Sequence, residues 1–122
     1  MKKIHLFDQA EDAVFYDVGA VIFTQDSYAD TLYVLVEGSV DIVRNAQRLA
    51  TIEDGSLLGE MAILEQRPHY ASAVAKTPCK LVPLSRQRFR FLIEETPNFA
   101  LDVMEIMAER LHLMDQRCVQ AK

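Results

Sequence analysis

Between residues 13 and 84 the apolar positions come in short runs broken by turn residues, and from residue 85 onward they recur at helical spacing. Val14-Phe15-Tyr16 and Val21-Ile22-Phe23 flank Asp17-Val18-Gly19. Thr31 to Glu37 is rich in β-formers and ends at Gly38. Ser39 to Arg44 alternates, with Val40 and Ile42 on one face and Asp41 on the other. Asn45-Ala46 is a tight turn into Gln47–Ile52, closed by Asp54-Gly55. After an interruption at 59–66, Tyr70–Ala75 and Cys79–Val82 give two further strands. Strands this short and this regularly spaced predict a sandwich or a jelly-roll-like barrel. Ser85 is a suitable N-cap for a helix through about Glu95, with Phe89, Leu92 and Ile93 inward. Thr96-Pro97 then opens a second helix to about Gln120, roughly 35 Å long at 1.5 Å per residue.

The 122 residues suit one domain, expected over 1–122, with the β-unit at about 13–84 and the helices at 85–120. Net charge is −5. Residues 1–84 carry 7 basic and 12 acidic side chains, residues 85–122 six of each, so neither part offers the basic face that a phosphate backbone requires. Arg86 and Arg90, the core of the one basic cluster, share a solvated helix face. Cys79 and Cys118 have no redox or metal spacing, and His5, His69 and His112 are not spaced as ligands. No nucleophile elbow, Walker loop or dinucleotide fingerprint occurs. The start lacks an apolar h-region, and the apolar run Leu32–Val36 is too short to span a bilayer. A non-enzymatic cytoplasmic chain without a cofactor, and without direct membrane or nucleic-acid contact, is expected.

The informative segment is 55–72, Gly-Ser-Leu-Leu-Gly-Glu-Met-Ala-Ile-Leu-Glu-Gln-Arg-Pro-His-Tyr-Ala-Ser. Leu57-Leu58 ends a strand, Gly59 permits a sharp change of direction, and Glu60 to Leu64 form one or two helical turns that Pro68 stops. A helix start beside a glycine offers free N–H groups to an anion, and a carboxylate in its first turn can accept hydrogen bonds from hydroxyls. Phosphate plus sugar is a chemically sensible ligand. Without a ligand, Glu60 is a helix-start residue favoured by the dipole.

Leu58-Gly59-Glu60-Met61-Ala62-Ile63, then Pro68 and a small-residue strand, resembles the phosphate-binding cassette of cyclic nucleotide-binding domains. The likeness extends to Val18–Phe23, to Asp30–Val40 and to the paired helices, about residues 13–118. It implies a mainly β fold with C-terminal α: an eight-stranded β-roll, a jelly-roll-like double-stranded β-helix, followed by two helices, the last long. It implies a regulatory sensor of cAMP or cGMP, with Gly59 and Ala62 offering N–H groups to the cyclic phosphate and Glu60 binding the ribose 2′-hydroxyl. Met61 completes the cassette.

One departure stands out. The family places an arginine after the proline, and this chain has His69, followed by Tyr70 where a small residue is expected. Imidazole titrates near pH 6.5 and offers no fixed charge. Three readings stay open: a protonated His69 binds phosphate, Arg67 swings in as the cation, or the pocket is degenerate and Tyr70 fills it. The last makes the chain a ligand-free interaction or dimerisation module. On the long helix, Val103, Met107, Leu111 and Met114 recur at three- or four-residue spacing, and resemblance to bacterial activators implies a homodimer through them. A protein partner fits the acidic balance, and either a free-standing sensor or a piece of a longer regulator is expected.

Overall fold

A computed structural model describes the backbone of residues 1–120 and the side chains of residues 1–113. The elements run β1 (Val14–Tyr16), β2 (Val21–Phe23), β3 (Thr31–Glu37), β4 (Ser39–Arg44), β5 (Gln47–Glu53), β6 (Leu57–Leu58), α1 (Glu60–Glu65), β7 (Ser72–Ala75), β8 (Cys79–Ser85), α2 (Arg86–Glu95) and α3 (Pro97–Gln120). The strands form two antiparallel four-stranded sheets, ordered β1-β8-β3-β6 and β2-β7-β4-β5. This is the β-roll that the cassette motif implies.

Three strand limits differ from the pattern, the smallest being β5, which runs one residue past Ile52 to Glu53. The strand expected from Tyr70 begins at Ser72, and β8 continues past Val82 through Pro83 to Ser85. Pro83 is tolerated because β1 pairs only with residues 79–81, so no neighbour on that side needs its missing N–H. Asn45 and Ala46 both take positive φ, 51° and 65°, as a two-residue hairpin turn requires.

Alternation along β3, β6 and β8 sorts side chains into two cores. Leu35, Leu58, Cys79 and Leu81 point between the sheets, where they meet Ile22, Val40, Ala73 and Ala75. Leu32, Val34, Leu57, Val82 and Leu84 point to the other face, where Phe89 of α2 and Phe99, Val103 and Ile106 of α3 cover them. Phe99 takes Phe7 and Phe89 edge to face, each with ring centroids 5.9 Å apart. Ser85 caps α2 by accepting from the Arg88 amide at 3.1 Å.

The N-terminal segment contributes two side chains to the helix-side core. Ile4 and Phe7 are buried there, and the Ile4 amide donates to the Gly55 carbonyl at 2.7 Å. The Lys2 amide donates to Glu109 of α3 at 2.9 Å, and its ammonium pairs with Asp102 at 3.0 Å.

Candidate functional site

Gly59 turns the chain from β6 into α1 with φ +77°, a conformation that L side chains rarely adopt. It also lacks room for a side chain: a Cβ there would lie 3.0 Å from His69 Cε1 and 3.3 Å from Phe23. α1 spans six residues, and Gln66 ends it in the left-handed conformation ahead of Pro68. Beside this segment opens a cleft of about 660 Å³, within the usual range for a small-molecule site. Its walls are the cassette residues 57–62 and 67–71, the hairpin residues Ile42, Arg44, Ala50 and Ile52, and Arg110 from α3.

Glu60 is 2% exposed at the first position of α1. Its carboxylate accepts from Arg110 Nη1, while Arg110 Nη2 donates to Ser56 Oγ at 2.7 Å and to the Leu57 carbonyl at 2.6 Å. Burial pushes the Glu60 carboxyl above its ordinary range, and the charge of Arg110 offsets only part of that rise. One side chain of α3 thus holds both the start of β6 and the start of α1.

His69 is 4% exposed and stacks on Phe23, centroids 3.8 Å apart and planes at 11°. Its amide donates to the Ser27 carbonyl at 3.0 Å, and its own carbonyl accepts from the Asp26 amide at 2.7 Å. Burial lowers the imidazole pKa below its usual 6.5, against a weaker upward pull from Asp30. The ring is a neutral part of the wall at pH 7, which weighs against a protonated His69 as the phosphate ligand.

Tyr70 does not fill the cleft. It is 68% exposed at the rim, and the Arg44 guanidinium lies 4.3 Å from its ring centroid. Arg44 Nη1 also donates to the Tyr70 carbonyl and approaches Asp26 Oδ1 at 3.6 Å. Arg67 is exposed and lines the mouth of the same cleft.

The structure therefore brings together Gly59, Glu60, Met61, Ala62, His69 and Tyr70, all lining one cleft, with Met61 half-exposed and Ala62 buried. It separates the helix stripe. Val103 is buried in the helix-side core and Met107 packs against that core, because residues 99, 103, 106 and 107 share the roll-facing side of α3. Leu111 is exposed, in line with exposed Leu101, Met104 and Ala108, so the outward stripe is 101-104-108-111. Met114 and Cys118 lie outside the residues whose side chains are described. Local pattern missed Arg44 and Arg110, whose partners Tyr70 and Glu60 are 26 and 50 positions away. Among the described residues no group of three or more His, Cys, Asp or Glu could hold a metal ion, and no helix is long and apolar enough to cross a membrane.

Comparison with known proteins places this geometry in context. The sequence profile of the cyclic nucleotide-binding domain matches residues 13–96. A cAMP-dependent protein kinase regulatory subunit of Aspergillus niger is 34% identical over 86 residues, covering 69% of this chain and 21% of that protein. The cyclic AMP receptor protein of Thermus thermophilus is 32% identical over 105 residues, covering 82% of this chain and 49% of its relative. Among solved structures, the catabolite activator protein of Thermus thermophilus superposes with a TM-score of 0.75 at 29% identity, over 89% of this chain and 54% of that one. The chain spans about half the length of the bacterial relatives and about a fifth of the kinase subunit.

Proposed function

The chain belongs to the cyclic nucleotide-binding domain family, and from that premise we propose that it is a non-enzymatic regulatory sensor that takes cAMP or cGMP in the cleft beside Gly59–Ala62. The observation that carries this reading is the Arg110–Glu60 pair. The carboxylate suited to a ribose hydroxyl is already engaged by the helix that would carry the signal. A hydroxyl arriving at Glu60 competes with Arg110 for the same oxygens. Arg110 must then re-pair, and the hold of α3 on β6 and α1 changes with it. Binding and helix position are linked by that competition, and each must bias the other by the same free energy.

Output through a second copy is part of the proposal. Leu101, Met104, Ala108 and Leu111 give α3 an exposed apolar stripe with the spacing of a helix–helix seam. A homodimer through this stripe, in the cytoplasm and acting on a protein partner rather than on nucleic acid, fits the acidic balance. Sedimentation at micromolar concentration is expected to give twice the 13.9 kDa chain mass, and a monomer would remove this part.

A second reading has its own support: His69 supplies no fixed charge, so the domain serves as a ligand-free interaction module. Calorimetric titration with cAMP and cGMP at pH 6 and pH 8 decides. Binding is expected without the gain at pH 6 that a phosphate-binding imidazolium would give, since burial disfavours the charged form of His69. Absence of heat and of any thermal shift with either nucleotide would leave the ligand-free module.

A further inference from the structure

The cleft holds three guanidinium groups. Arg110 is committed to Glu60, Ser56 and Leu57. Arg67 stands exposed at the mouth, in the loop after α1. Arg44 differs from both. It rises from the end of β4 beside Tyr70, with its side chain 28% exposed and held from two sides by the Tyr70 ring and the Tyr70 carbonyl. Among the described residues its hydrogen bonding runs through Nη1, leaving Nη2 and Nε as donors on the free edge of the fork. Its counter-ion is weakly held: Asp26 is 70% exposed, 3.6 Å away, and beyond hydrogen-bond distance.

We propose that Arg44, and not the residue after Pro68, is the side chain that recognises the ligand's negative charge in this cleft, with Tyr70 as the platform that holds its guanidinium in place. The inference rests on the sensor reading of the site. An anion with paired oxygens, such as a cyclic phosphodiester, suits the free edge of a guanidinium, which donates two parallel N–H bonds. Stacking on Tyr70 fixes the fork before the ligand arrives, so little side-chain freedom is lost on binding. Asp26 is the competitor. It faces Arg44 Nη1 from 3.6 Å without a hydrogen bond, and yields the guanidinium's charge to the phosphate. The charge missing at position 69 is thus supplied from a neighbouring strand, across the register that sets Val43 opposite Ser72.

Calorimetric titration with cAMP, cGMP and adenosine, which lacks the phosphate, tests the assignment on the whole chain and four variants. Arg44→Gln is expected to weaken the cyclic nucleotide by at least about 30-fold, or about 2 kcal/mol, while leaving adenosine unchanged. Arg44→Lys, which keeps the charge but loses the fork, falls between. Asp26→Asn tightens cyclic nucleotide a few-fold, and Arg67→Gln changes it by less than threefold. A thermal melt of each variant confirms folding, and a misfolded Arg44→Gln is replaced by the Arg44→Lys and Asp26→Asn pair. If the wild-type chain binds neither cyclic nucleotide, the sensor reading falls and takes this assignment with it. If the wild type binds and Arg44→Gln binds equally well, or Arg67→Gln suffers the larger loss, only the assignment falls.

Discussion

Glu60 and His69 sit at opposite ends of the same cassette, both buried, and the protein accommodates them by opposite means. Glu60 faces a cation from 50 positions further along the chain, and that partner belongs to the long helix. His69 is held neutral by burial, against Phe23 and the backbone of the 26–27 turn. One buried polar group depends on a distant element staying in place, and the other is locked by its immediate surroundings. The cassette therefore has a responsive end and a fixed end. In the proposed sensor, a ligand that touched both would be read as movement only at the first.

Four measurements can break or sharpen this contrast. The largest effect is expected from Arg110→Met, which strands the buried Glu60 carboxylate and lowers unfolding free energy by on the order of 3 kcal/mol in urea titration. His69→Phe, which keeps a flat ring against Phe23, is expected to cost less than about 1.5 kcal/mol as a near volume-conserving change. Equal costs for these two would end the distinction. Gly59→Ala comes next, at about 2 kcal/mol, since it forces a side chain into left-handed backbone and against the His69 ring. The proton signals of that ring should shift in the same variant.

The smallest effect is pH dependence from His69. Its folded pKa lies below the unfolded value of about 6.5, so the unfolded chain binds more protons in that window and stability falls as pH drops through it. His69→Phe should remove this share of the acid sensitivity. An unchanged pH profile in that variant would show that the imidazole is not desolvated.

Much of the architecture was legible in short-range pattern. Alternation marked the strands, Ser85 and Thr96-Pro97 marked the helix starts, and the order glycine, carboxylate, short helix, proline marked the cleft. Each is a signal within a few residues. What stayed hidden depends on distant residues meeting. Ile4 and Phe7 are two isolated apolar side chains until the helix-side core gathers them. Nothing near Arg44 or Arg110 distinguishes them from surface arginines, because what defines them is a partner across the fold. The stripe on α3 stayed ambiguous for a related reason. Apolar spacing gives a helix two candidate faces, and only the position of the roll decides that Val103 and Met107 turn inward while Leu101 and Met104 turn out.

The two leucines of β6 bear on how the domain opens. Leu57 enters one core and Leu58 the other, on a strand of two residues whose register with β3 sets Leu58 opposite Tyr33 and Leu57 opposite Val34. The Leu35 amide and carbonyl tie the same stretch through Ser56 and Gly55, at 2.9 and 2.6 Å. Neither core can loosen without disturbing the same two peptide units. The roll and its covering helices then form one cooperative unit, with the amides of Leu35 and Gly55 exchanging with solvent as slowly as the most protected in the chain. The cassette begins at the seam of that unit, so a shift of the long helix is felt at Gly59 within two residues.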